Sequence, residues 1–247
     1  MIALRLAWLE SKLLIREPVT LVFTLVFPVI NVLVMGGMFA EAEEGYYRDA
    51  VPIDYYTGAY VGLVIAALGI IALPTHIATY RERGISRRFD ASSISKSTIL
   101  TAHTIVLLGL AAVGAILVVL IGVGVWDAGM PHSWDGVLVA FVLGALAFSM
   151  IGALLGQALP SSRATLGLGI ILWFVMLILG GAGPPPEVLP EAMNAVGSFT
   201  PLDHVVLLIQ DPWLGFGWSW AETLVVLGFA VGSLGLVALV HRIRSTR

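Results

Sequence analysis

The sequence contains no cysteine, and only 12% of its 247 residues are charged. Lacking cysteine, it has no disulfide scaffold, and its five separated histidines offer no ligand set for a structural zinc. So little charge excludes an ordinary soluble domain, in which about 25% of residues are charged. Signatures of catalysis and nucleotide binding are missing too. There is no GxxxxGK[ST] phosphate loop, no HExxH and no GxSxG, and Gly232-Ser233-Leu234-Gly235 has the wrong spacing for a serine nucleophile. No Asp or Glu falls inside the charge-free apolar stretches, the last of which is 223–240, and this argues against an intramembrane aspartyl protease and a carboxylate proton relay.

What is there is apolar: 58% of the residues are hydrophobic. A sphere of this size cannot hide so much apolar surface from water, and exposed patches of it would aggregate. The stretches at about 18–40, 55–80, 97–126, 136–162, 164–183 and 221–241 each come to about 20 residues or more, enough to cross about 30 Å of hydrocarbon as a helix. Strands of a membrane barrel would alternate apolar and polar residues. Leu107-Leu108-Gly109-Leu110-Ala111-Ala112-Val113 is apolar on every face, so helices are predicted. The loops left over are too short for a soluble catalytic domain. Residues 1–247 therefore read as one all-α integral membrane domain with six transmembrane helices.

The scarce charge is sorted by side. Of the thirteen Lys and Arg residues, twelve fall on one face: Arg5, Lys12 and Arg16, then Arg81, Arg83, Arg87, Arg88 and Lys96, then Arg163, then Arg242, Arg244 and Arg247. Four carboxylates accompany those twelve cations, and twelve accompany Arg48 on the other face, leaving formal charges of +8 and −11. Short basic loops stay in the cytoplasm, so both termini are predicted inside. Tyr46, Tyr47, Tyr55, Tyr56, Trp126, Trp134, Trp213, Trp218 and Trp220 gather at the outer boundary, where amphipathic rings favour the headgroups. Ala40-Glu41-Ala42 resembles a signal-peptide cleavage site, but the run before it is too long and carries Pro28 and Asn31. The first span is expected to be retained.

Three connecting segments are more than turns. In 1–17, Ile2, Leu6, Leu9 and Leu13 repeat at helical spacing beside a basic face, the pattern of a helix lying on the inner membrane surface. The inner loop 81–96 carries both charge signs and Phe89, and reads as a short helix offered to a cytoplasmic partner. Gly180 to Pro186 cannot continue a regular helix. The two apolar pieces within 187–212 that follow, split by Thr200-Pro201, are too short to span and predict a re-entrant hairpin in the outer leaflet.

Polar residues within the spans are few. Asn31 and Gln157 ordinarily make interhelical hydrogen bonds, and lining a translocation path is the alternative. His76 and His103 flank the basic loop and read as residues of a helix–helix or interfacial hydrogen bond, with titration near neutral pH as the alternative. Gly144, Gly152 and Gly156, with Gly167 and Gly169 in the next span, fit tight packing inside the bundle or a face for a second chain.

These features together resemble the membrane subunit of an ABC-2 type transporter over nearly the whole chain. Leu14-Ile15-Arg16-Glu17-Pro18 running into an apolar span with Pro28 is similar to the family's opening. Tyr80-Arg81-Glu82-Arg83-Gly84-Ile85-Ser86-Arg87-Arg88-Phe89 is similar to its "RERG" loop, and Gly180 to Pro186, Leu189-Pro190 and Phe199-Thr200-Pro201-Leu202 to its pattern before the last span. The resemblance implies an exporter in which two permease chains, identical or homologous, stand on two copies of an ATPase subunit. The ATPase would bind ATP and magnesium, so this chain would hold no cofactor and perform no hydrolysis. It further implies that 1–17 is an interfacial connecting helix and that 81–96 couples to the ATPase through Arg81, Glu82, Arg83, Arg87, Arg88 and Phe89. Residues 187–212 would be outer re-entrant helices, with Pro184, Pro185, Pro186, Phe199 and Pro201 at an outer gate. The run Pro184-Pro185-Pro186 stands where the family has a bulkier aromatic-and-proline pattern, which predicts a gate of different shape. An amphiphilic or hydrophobic cargo (a drug, antibiotic or lipid-like molecule) suits a path with so little buried charge. The expected setting is the cell membrane, inner or plasma, of a prokaryote, with membrane lipid and no nucleic acid among the expected contacts. The alternative is a membrane assembly subunit without transport of its own; an integral membrane enzyme lacks any catalytic constellation.

Overall fold

A computed structural model describes residues 18–39, 47–85 and 96–245, together with Trp8 and Lys12. The described residues are helical and contain no strand. The helices are α1 (residues 18–39), α2 (Pro52–Glu82), α3 (Lys96–Trp126), α4 (Trp134–Ala158), α5 (Ser162–Leu179), α6 (Glu191–Gly197), α7 (Pro201–Leu214) and α8 (Trp220–Ser245). Of the segment 1–17, only Trp8 and Lys12 are described: both are helical, and the Lys12 ammonium lies 4.7 Å from the centre of the Trp8 ring. The rest of the predicted interfacial helix, and Arg87, Arg88 and Phe89 of the predicted coupling loop, lie outside the described residues.

Among the described residues, five helices are long and apolar enough to cross a membrane unaided: those in α2, α3, α4, α5 and α8. The pair α6 and α7, bent by 84°, would make a sixth if it counted as one broken span. In α1 the regular α-helical part, Phe27–Phe39, has 13 residues and follows a π turn at Val22–Val26. Leu21 and Phe27 keep right-handed helical dihedrals on either side of that turn. The run 18–39 is therefore a single helix, and at about 1.5 Å per residue it reaches about 30 Å.

Both π turns have the same cause. The one in α1 ends two residues before Pro28, and the one in α2, Leu68–Ala72, ends two residues before Pro74. A proline ring clashes with the carbonyl four residues back and supplies no N–H. Widening the preceding turn relieves the clash, and the next amide reaches back five residues instead: Phe27 N–H to the Val22 carbonyl, and Leu73 N–H to that of Leu68.

Helix ends follow local chemistry. Ser133, Ser161 and Thr200 cap α4, α5 and α7 by accepting from the amides of Gly136, Ala164 and Asp203. Leu159 is extended because Pro160 follows it, so α4 stops at Ala158, short of the predicted 162, and Ser161 starts the next helix. Gly215, at φ +90°, closes α7.

α2 is the centre of the bundle, packed by α1, α3, α4, α5 and α7, while α8 packs chiefly on α4 and α7. Close approach to α2 depends on glycine. A Cβ on Gly152 of α4 would lie 2.3 Å from the Gly69 carbonyl oxygen, and one on Gly169 of α5 would lie 2.4 Å from that of Ile70. Backbones of three helices thus meet at the π turn of α2. Gly144 packs on Val205 and Gly156 on Ile77 and the Pro74 carbonyl, whereas Gly167 faces open space. Of the two predicted uses for these glycines, packing within the bundle accounts for all but Gly167.

Candidate functional site

The bundle has a basic end and an acidic end, and each is tied by side chains. At the basic end, α2 finishes with Arg81 and Glu82, and Gly84 at φ +68° turns the chain out of the helix. The half-buried Arg81 guanidinium donates to the carbonyls of Gly156 at 3.1 Å and Gln157 at 2.5 Å, and to that of Leu159. The first two are last-turn carbonyls of α4, which have no partner within their own helix, and Leu159 is the extended residue that follows it. The next residue, Glu82, accepts from the Ser162 amide at 2.9 Å and the Ser162 hydroxyl at 2.6 Å, at the first turn of α5. A cation therefore sits at a helix C-terminus and an anion at a helix N-terminus, the signs that helix dipoles favour. Arg83 and Arg163 are exposed beside this corner.

His76 and Tyr80 of α2 and His103 of α3 form an aromatic group just within the same end. Ring centres are 4.2 Å apart for His76 and Tyr80, and 5.9 Å for the two histidines. Both histidines are buried, so they belong to the α2–α3 contact.

At the acidic end, the side chains tie α7 down. Arg48 and Asp49 both have left-handed backbone, φ 58° and 55°, in a turn closed by the Ala50 amide on the Tyr47 carbonyl at 3.1 Å. From there Arg48 donates to Gln210 Oε1 at 3.1 Å and Asp211 Oδ1 at 2.5 Å, and its guanidinium lies 4.8 Å from the centre of the Phe216 ring. Gln210, fully buried, donates onward to the Tyr55 carbonyl at 3.0 Å. The Tyr55 hydroxyl donates to the Gly181 carbonyl at 2.8 Å, so the glycine-rich break after α5 has that backbone acceptor satisfied at depth. His204 faces Glu222 of α8 at 2.6 Å and the Ser198 carbonyl at 2.9 Å, joining α7 to α8 and to the turn after α6.

The residues singled out from sequence are not all brought together. Asn31 is half-buried and donates to the Phe27 carbonyl of its own helix at 2.9 Å. Gln157 lies in the last turn of α4 at the basic end, where its Oε1 is buried and has no protein partner among the described residues. The two are therefore on different helices, and Gln157 is not at mid-span. Around the predicted gate, Pro185 and Pro201 are buried, Pro186 is half-buried, Pro184 is exposed and Phe199 is 81% exposed. Pro186 opens a short 3-10 turn, Pro186–Val188, and Pro201 occupies the first turn of α7.

Sequence reading missed Gln210, Asp211 and Tyr55 as a network, and Ser162 as the partner of Glu82. One signal was present: a single cation, Arg48, stands among the twelve carboxylates of the acidic side.

Residues 48–240 match a family model described as ABC-2 family transporter protein. A protein of Porphyra purpurea named "Putative transport permease ycf38" is 20% identical over 226 residues, covering 90% of this chain and 77% of that protein.

Proposed function

The chain belongs to the ABC-2 transporter family, and from that premise we propose that it is the permease subunit of an ATP-driven exporter. The coarse part of this reading, a multi-pass membrane transport permease, follows from the family and the apolar helices. The finer part is the proposal. The basic end faces the cytoplasm of a prokaryotic cell and seats on two copies of a separate ATPase subunit, which binds ATP and magnesium. A second permease chain, identical or homologous, completes the path. The cargo is amphiphilic or hydrophobic.

The observation that carries the coupling assignment is the corner at the basic end. Helix ends of α2, α4 and α5 converge there, exposed Arg83 and Arg163 lie beside it, and the sequence continues into the basic stretch around Arg87, Arg88 and Phe89. A push on that stretch therefore acts on three helices at once. Asn31 and Gln157 remain candidates for the path, and Pro184, Pro185, Pro186, Phe199 and Pro201 for the outer gate.

The test is co-purification with a candidate ATPase subunit, followed by ATP turnover. Replacing Arg83, Arg87 and Phe89 with alanine is expected to weaken the complex by about tenfold or more, as loss of interface anchors does. Unchanged assembly and unchanged turnover in that variant overturn the coupling assignment.

A further inference from the structure

We infer that Arg81 and Glu82 act inside the chain as a relay, binding the α4–α5 corner to the end of α2 so that movement of the coupling segment passes to both helices. This deepens the coupling reading above and rests on it. In the resemblance these two residues belong to the surface offered to the ATPase; in the structure both also bond to residues 156–162.

Two consecutive side chains of opposite sign reach two consecutive helix ends. Arg81 gathers three carbonyls where α4 closes, and Glu82 takes the amide and the hydroxyl of Ser162 where α5 opens. Exchanging the signs would set like against like at both helix ends. On the α4 and α5 side these bonds end on backbone groups at four of the five contacts, so little flexible side chain intervenes there. Above the corner the same three helices are locked by backbone approach, at Gly156 on the Pro74 carbonyl, Gly152 on Gly69 and Gly169 on Ile70. The tied corner and the glycine contacts together make the halves of α2, α4 and α5 nearest the basic end one block. Arg83 caps α2 after the pair and Gly84 turns the chain away, placing the relay at the last turn before the coupling segment.

Because the chain lacks cysteine, two introduced thiols can be spin-labelled without a background. The experiment uses the full chain in complex with its ATPase, with labels on Ile85→Cys and Ala164→Cys. The native pair should give one narrow distance that ATP does not change, since both sites travel together. In Arg81→Ala/Glu82→Ala the distance should broaden and shift on ATP addition by about 2 Å or more, the size of an ordinary helix displacement. Glu82→Gln keeps an acceptor for the Ser162 amide and should behave as native. Where the double variant does not fold, Glu82→Ala alone removes two bonds at an exposed site and should show the ATP-dependent shift. A narrow, ATP-insensitive distance in these alanine variants overturns the relay. Loss of the ATPase complex in them also overturns it, by making the pair docking contacts, and leaves the coupling reading standing. A native chain that forms no complex refutes the coupling reading, and the relay with it.

Discussion

Two helices of nearly equal hydropathy, α2 and α8, meet opposite surroundings. Over their most apolar windows α2 is 89% buried within the chain and α8 only 17%. Hydropathy measures reluctance to face water, and both protein and lipid satisfy it. Lipid tails are as apolar as leucine, so apolar content alone gives a helix no reason to sit at the centre. Close packing and polar satisfaction do. α2 carries Tyr55, Tyr56, Thr57, Gly58, Tyr60, Gly62 and Gly69, all buried; its glycines admit neighbouring helices closely, and the Tyr55 hydroxyl finds the Gly181 carbonyl. In α8, Leu224, Val231 and Leu239 are exposed, and Gly228, Gly232 and Gly235 have nothing near them. The difference between a core helix and a rim helix lies in small and polar residues, and in what touches them.

The comparison breaks most severely at the π turn. In Gly152→Leu the new Cβ alone would fall 2.3 Å from a backbone oxygen of α2, which cannot rotate away. Overpacking of this kind is expected to cost about 3 kcal/mol or more, enough to leave little folded protein. Thermal unfolding in detergent measures it, with Gly232→Leu as the rim control, which should leave the midpoint nearly unchanged. Equal losses in the two variants would dissolve the distinction between α2 and α8.

A smaller effect belongs to the polar tie at the acidic end. Gln210→Leu removes the acceptor of Arg48 and the donor to the Tyr55 carbonyl in a fully buried place. The expected loss is about 2 kcal/mol, since unpaired buried groups are costly, although tempered in membranes, where the unfolded chain also finds partners. Unfolding of the purified chain reads the loss. The Arg48 guanidinium keeps Asp211 in this variant, so Arg48→Ala made on top of it should cost less than Arg48→Ala in the native chain. Strict additivity would mean that Arg48 and Gln210 do not act as one network.

Much of this architecture was legible in the residues, and the illegible part has a physical reason. The sorting of charge between the two faces depends on residue identity alone, and it placed Arg81 and Arg48 at opposite ends before any coordinates. The π turns before Pro28 and Pro74 are not legible in the sequence, because a proline by itself does not say how its helix accommodates it. Long apolar runs announced helices, but could not say that α2 is central, because burial in protein and in lipid leave the same composition. Gly144, Gly152 and Gly156 carried a packing signal with no partner attached; only contact with Val205, Gly69 and Ile77 chose one. Arg81 and Glu82 carried a motif signal that named no partner within the chain: the carbonyls and amide that hold them are backbone groups, which no residue pattern displays.

The smallest expected effect is the sharpest test of the rim. Gly232→Ala adds a methyl group with nothing within 4 Å beyond its chain neighbours and its own helix backbone. In a helix exposed to water, alanine would gain up to about 1 kcal/mol over glycine by restricting the unfolded chain. In a bilayer the unfolded reference is already helical, held by backbone hydrogen bonds that lipid cannot replace, so most of that gain disappears. The midpoint of unfolding should therefore rise slightly or stay, within about 0.5 kcal/mol, the range of changes that touch nothing. Gly228 lies one helical turn before Gly232, and small residues at that spacing also suit close helix contact. If Gly232→Ala lowered stability, or made it newly dependent on protein concentration, that face of α8 would be covered by another chain. Its 17% burial would then describe the single chain alone, and α8 would stand with α2 rather than against it.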